Sequence, residues 1–288
     1  MKTRFLVVAS VVCICALIAM GQSKKRPSPS PSPTPASSWS DYQGVKWQKG
    51  NSVGTLGDIA QVKVPEGFVF AGANDTRLIM EANQNPTNGR ELGFVAPEND
   101  NWFAVFEFDD VGYVKDNDKD SLDANALLDS IKQGTEAGNK ERLRRGWATM
   151  TIVGWEQQPH YNELSHNLEW AVKATSEGFP VVNHNTRMLG RGGVMEVTLV
   201  TDPTALAETL PKFKTMLQGF EFKQGHRYAE FRAGDKAAAY GLTGLIVGGG
   251  AAALVKTGAF KWLWKAIVGA AIGVSALVKK LFSRNRTA

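Results

Sequence analysis

The sequence predicts an α+β fold, a single extracytoplasmic mixed domain with a C-terminal transmembrane segment. Between residues 45 and 236 the apolar pattern switches repeatedly between periods of two and 3.6, without the regular alternation of a βαβ protein. No Pro/Gly/Ser linker interrupts this block, and uncharged apolar runs with basic flanks stand on either side of it. A chain of 288 residues with 43% apolar residues and 2 Cys is neither wholly disordered, collagen-like nor disulfide-stapled. The formal charge of +5 is unevenly placed. Residues 1–26 hold five bases and residues 256–288 hold seven, with no acid in either stretch, which leaves 21 bases against all 28 acids between them. A domain of net −7 between basic ends is not the footprint of a nucleic-acid-binding protein.

At the N-terminus, Phe5 to Met20 is uncharged and apolar behind Lys2 and Arg4, the pattern of a secretory signal. As a helix it reaches about 24 Å, short of the ~30 Å hydrocarbon core. Small residues around Gly21 place the cut there, so residues 1–21 read as a signal peptide. An uncleaved anchor is the other reading, since Lys24, Lys25 and Arg26 nearly balance the charge across the segment. Cys13 and Cys15 leave with the signal, and the mature chain then has no thiol for a disulfide, a nucleophile or a metal. Residues 22–44 form a disordered Pro/Ser-rich linker. Its Pro27–Ser38 stretch carries five prolines, which fix φ and remove amide donors.

Within the domain, Phe68-Val69-Phe70, Trp102–Phe108, Met150–Val153 and Gly193–Val200 read as strands, the second buried on both faces. Leu127, Leu128 and Ile131 lie at helical spacing after Ser121. Leu206, Leu210, Phe213 and Leu217 predict a second helix with Asp202 as N-cap, Pro203 at N1 and Gly219 at its end.

Beyond it, Ala237–Val255 is uncharged between Lys236 and Lys256. At about 28 Å of helix it just spans a bilayer, with Tyr240 near its outer edge and both lysines reaching the interfaces. Gly244 and Gly248 form a GxxxG pair that would admit a partner helix closely. In the basic tail, residues 256–288, Trp262 and Trp264 sit where interfacial aromatics belong. A shorter run to Val278, with Gly269 and Gly273, makes residues 262–278 a second membrane-associated helix. A single span with an interfacial or re-entrant helix satisfies the positive-inside rule better than a hairpin, which would export the terminal bases.

The blocks GDIAQVKVPEGFVF (57–70), ELGFVAPENDNWFAVFEFDDVGYVKDND (91–118), GTEAGNKERLRRGW (134–147), GWEQQPHYNELSHNLEWA (154–171), NHNTRMLGRGGVMEVTLV (183–200) and FEFKQGHRYAEFRAGDKAAAYGL (220–242) follow in an order that resembles the domain-of-unknown-function family number 2167 of membrane-anchored bacterial proteins. The resemblance implies an extracytoplasmic domain held by a C-terminal membrane segment. It supplies no activity and no catalytic residues. It also implies an aromatic residue where this chain has His184.

Candidate sites are incomplete. Asp116, Asp118 and Asp120 alternate like the first ligands of a calcium loop. Ser121 and Leu127 then stand where that loop needs Gly and a bidentate acid, so the choice is between a different divalent-cation site and an acidic helix-capping turn. His160, with Glu163 nearby, and His226 are each a lone base or ligand, and no His pair has i, i+4 spacing. Arg187 and Arg191 offer an anion site or partners for the domain's acids. Lys140, Arg142, Arg144 and Arg145 read as a solvated helix end closed by Gly146. Trp47, Trp102, Trp147, Trp155 and Trp170 are core aromatics first, and an aromatic shelf for carbohydrate or peptide second.

No nucleophile elbow or phosphate loop is present in the sequence. The expectation is therefore a binding or scaffolding module of the cell envelope at the bacterial cytoplasmic membrane. Its partners are lipid and another envelope protein or polymer, with no nucleic acid and no cofactor beyond a divalent cation. The alternative is an envelope hydrolase or modifying enzyme using His160 and Glu163 or the Asp116/Asp118/Asp120 loop.

Overall fold

The structure, a computed structural model, describes residue 39 and residues 42–247. In chain order the elements are β1 (Gln48–Lys49), β2 (Ser52–Leu56), β3 (Ala60–Val64), β4 (Phe68–Gly72), α1 (Ala73–Ala82), β5 (Glu91–Pro97), β6 (Phe103–Asp109), α2 (Ala124–Arg144), β7 (Met150–Asn162), β8 (Asn167–Ser176), β9 (Phe179–Leu189), β10 (Val194–Thr201), α3 (Leu206–Leu217), β11 (Phe220–Phe222) and α4 (Leu242–Val247). The architecture is α+β and mostly sheet. An eight-stranded sheet runs β1-β4-β5-β6-β10-β9-β8-β7 and a three-stranded one β11-β3-β2, with every strand pair antiparallel.

Alternation along each strand sorts the core into two layers. Phe70, Val95, Ala104, Phe106, Val197 and Leu199 face the small sheet and α3, meeting Leu56, Val62, Phe213 and Met216. Their neighbours Val69, Ala71, Phe94, Ala96 and Val105 face the other way, onto Ile79 of α1 and the rings of Trp39 and Trp47. Farther along that second face, Leu127 of α2 packs on Leu168, Trp170 and Val172. This double burial explains the unbroken apolar run of β6.

Two helix starts lie later than the periodicity predicts. In α2 the cap is Asp123, whose carboxylate accepts the Asn125 and Ala126 amides, and Ser121 ends a short 3-10 turn instead. In α3 the N-cap position falls on Ala205. Asp202 spends its carboxylate on the amide and hydroxyl of Thr204 and so shapes the turn before the helix. The strand predicted over 150–153 runs on to Asn162, because its register shifts let a long strand twist around the sheet edge.

The domain does not stop at Lys236. Tyr113 forms a parallel bridge with Ala237, and Ala238 donates its amide to the Tyr113 carbonyl. Leu242, Leu245 and Ile246 are then buried with Val114 and Leu127. Gly244 abuts the Tyr240 ring, where a β-carbon would collide, so its smallness serves packing inside the domain. Residues 237–247, the first part of the segment predicted to span the bilayer, thus pack on the domain, with Leu242, Leu245 and Ile246 in its core, and among the described residues no helix is long and apolar enough to cross a membrane. The signal peptide, most of the linker, and Gly248, Lys256, Trp262, Trp264, Gly269 and Gly273 lie outside the described residues.

Candidate functional site

A row of charged residues crosses the second face of the large sheet. Strand register sets Glu91 of β5 opposite Glu107 of β6, Glu107 opposite Glu196 of β10, and Glu196 opposite Arg187 of β9. Arg187 Nη2 lies 3.3 Å from Glu196, its guanidinium covers the Trp170 ring at 4.8 Å, and its Nε and Nη1 are buried without a hydrogen-bond acceptor. Arg90 approaches from the loop before β5, 3.6 Å from Glu196, 3.3 Å from Asp109 and 4.0 Å from Glu107. Burial pushes the Glu107 carboxyl above its usual range. Repulsion from Glu196 adds to that push, and Arg90 opposes it.

Glu107 also stands at one end of a cleft of about 550 Å³ between α1 and the C-terminal end of α2. Its floor is Phe103, Val105, Asn183, Thr198 and Val200, and its far rim is Phe179, which is 74% exposed. Arg142 forms a wall. It donates to the Ala148 carbonyl and to Asn85, while Arg145 pairs with Glu81 and so draws α2 and α1 together. A mixed apolar and amide lining with one half-buried acid is the chemistry of a binding cleft.

Of the residues singled out from sequence, Arg187 with Trp170 beneath it joins the charged row, and Arg142, predicted to belong to a solvated helix end, is instead half-buried in the cleft wall; the others fall elsewhere. Asp116 accepts the Tyr161 hydroxyl at 2.9 Å. Asp118 accepts the amides of Leu242 and Thr243 and the Thr243 hydroxyl, which makes it the cap of α4. Asp120 lines a depression of about 300 Å³ with His160 and Glu163, where Glu163 pairs with Lys119 at 2.7 Å. The three acids are therefore dispersed, and among the described residues no cluster of three His, Cys, Asp or Glu is arranged for a metal. Arg191 holds Asp235 through two 2.7 Å bonds, and its amide donates to the His226 carbonyl, so both residues fasten the chain leading to α4. That pairing drops Asp235 to about 2. Lys236 donates to the Asp110 carbonyl. Tyr240 lies 3.4 Å from Asp109, and burial pushes its hydroxyl up to about 12. Trp102 and Trp170 are buried, Trp155 donates to the Ala124 carbonyl, and Trp147 lies under Arg145.

Glu107, Glu196 and Arg90 went unnoticed in the sequence. The available signal was an acid inside each of two apolar strand runs, WFAVFEF and GVMEVTLV, which a buried strand tolerates only when the charge is paired.

Fold and cleft together define an α+β domain built on one broad antiparallel sheet, with a ligand-sized hollow on its open face. The chain belongs to the family described as protein of unknown function (DUF2167), whose model matches residues 48–279. No curated protein matches it. Among solved structures it is similar to the solution structure of cyanobacterial PsbP (CyanoP) from Synechocystis sp. PCC 6803, at 10% identity and a TM-score of 0.35, over 62% of this chain and 92% of that one.

Proposed function

We propose that the protein is a membrane-anchored binding module of the bacterial cell envelope, with its main domain on the extracytoplasmic side of the cytoplasmic membrane. The cleft beside Glu107 carries the binding part of this reading: it has the volume and mixed lining of a ligand site and no nucleophile paired with a base. The apolar, basic sequence beyond Val247, with Trp262, Trp264 and the uncharged run to Val278, supports the anchor, and the N-terminal signal pattern supports export. A photo-crosslinking residue placed at Phe179, on the rim, tests it in intact membranes. An adduct with an envelope protein or polymer is expected there and not from Val53 on β2. Adducts with the protein alone, or equal adducts from both positions, count against the module.

A second reading, an envelope hydrolase or modifying enzyme, draws on the meeting of His160, Glu163 and Asp120 in one depression. It requires His160→Ala to abolish the cellular phenotype while leaving the Phe179 adduct in place.

A further inference from the structure

We propose a second ligand site at the other end of β8 from the cleft, built around His166 and taking a neutral saccharide. His166 closes the β7–β8 turn with φ +53°, a left-handed conformation that costs a non-glycine residue energy and is held here by tertiary contacts. Its ring lies 4.6 Å from the Tyr228 ring, and its Nδ1 is 3.1 Å from the Tyr161 hydroxyl. That hydroxyl hydrogen goes to Asp116 Oδ2, 2.9 Å away. The Tyr161 oxygen can therefore only accept from the ring, which puts the imidazole proton on Nδ1 and leaves Nε2 a lone pair without a protein partner among the described residues. Asp116 and Tyr161 are thus positioning residues for an acceptor.

His166 lines a cleft of about 390 Å³ that also includes Phe220, Tyr228, Ser165, Asn167 and Gln218. The side chains of those last three make no hydrogen bond within the described protein, whereas the acid of this cleft, Glu221, is taken up by Gln61 at 2.6 Å. Arg227, on its outer edge, donates Nε to the Phe222 carbonyl. Apart from the Arg227 Nη nitrogens and one Glu221 oxygen, which are exposed at the edge, the uncommitted groups are neutral donors and acceptors beside the Phe220 and His166 rings. They match a ligand with many hydroxyls and apolar C–H faces, and a hydroxyl of that ligand would donate to Nε2.

The test uses the full chain in detergent micelles, ¹⁵N-labelled at histidine, with N-acetylglucosamine, maltose and, as an anionic control, acetate as probes. In its neutral form His166 is expected as the Nδ1–H tautomer, mixed in Tyr161→Phe. One of the two sugars is expected to shift its Nε2 signal, with about tenfold weaker binding in His166→Asn, which keeps a residue tolerant of the left-handed turn. An Nε2–H tautomer, no shift with either sugar, or sugar affinity unchanged in His166→Asn each overturns the site. So does a response to acetate that depends on Arg227 and not on His166. The readout is independent of crosslinking at Phe179, so either site can fail without the other.

Discussion

His184 shows how one buried side chain sets a pH response. It is 1% exposed, its ring meets the edge of Phe213, and neither ring nitrogen has a hydrogen-bond partner. Burial pushes its pKa down to about 4; Glu169 opposes that shift and Lys214 reinforces it. The unfolded imidazole takes its proton near 6.5, so between those values the unfolded state binds the extra proton. Stability is full above about 6.5 and declines as the pH falls toward 4, by a loss on the order of a few kcal/mol. His184→Phe, which places in this slot the aromatic that the family resemblance implies, is expected to flatten that decline in urea titrations at successive pH values. The acid row gives a second contrast. Glu196→Gln leaves Arg187 and Arg90 short of a buried counter-charge and is expected to cost about 3 kcal/mol. Glu107→Gln removes a carboxyl that burial already disfavours and is expected to cost under about 1 kcal/mol, measured by the same denaturation. Arg191→Gln frees Asp235, so its destabilising effect is expected at neutral pH and should vanish as the pH falls from 3.8 toward 2.

At the scale of elements, α4 depends on a residue far away in sequence. Asp118 occupies the cap that Gly241 leaves open, and a β-carbon on Gly241 would strike the carboxylate. Asp118→Ala is expected to cost about 1–2 kcal/mol. Hydrogen exchange should locate the loss, with faster exchange at the Leu242 and Thr243 amides and little change in β10. The acidic turn was legible as a capping turn, but the helix it caps was not. Sequence proximity pointed to the helix after Ser121, whereas the fold brings in a segment more than a hundred residues downstream. The strands β4, β6 and β10 were legible because short apolar runs rich in β-branched and aromatic residues mark them, too brief for a helix. The start of α3 was not, since Asp202 caps a turn as readily as a helix.

For the whole molecule, the C-terminal limit of the domain is a matter of where apolar surface is buried. Leu242, Leu245 and Ile246 already fill the pocket beside α2, and each buried side chain of this kind contributes roughly 1.5–3 kcal/mol. A chain ending at Lys236 is therefore expected to melt well below one ending at Val247, a difference read directly by calorimetry. Equal melting temperatures would mean that α4 adds nothing to the domain.

The sequence alone settled the class of fold, the family and the strongly apolar character of both ends, because periodicity, composition and block order are local properties that survive without coordinates. Only the tertiary structure decided which charges meet. Glu91, Glu107, Glu196 and Arg187 come from four strands and become neighbours through register alone, and the apolar residues after Lys236 are claimed by the core because α2 and Val114 offer a surface that no local pattern encodes.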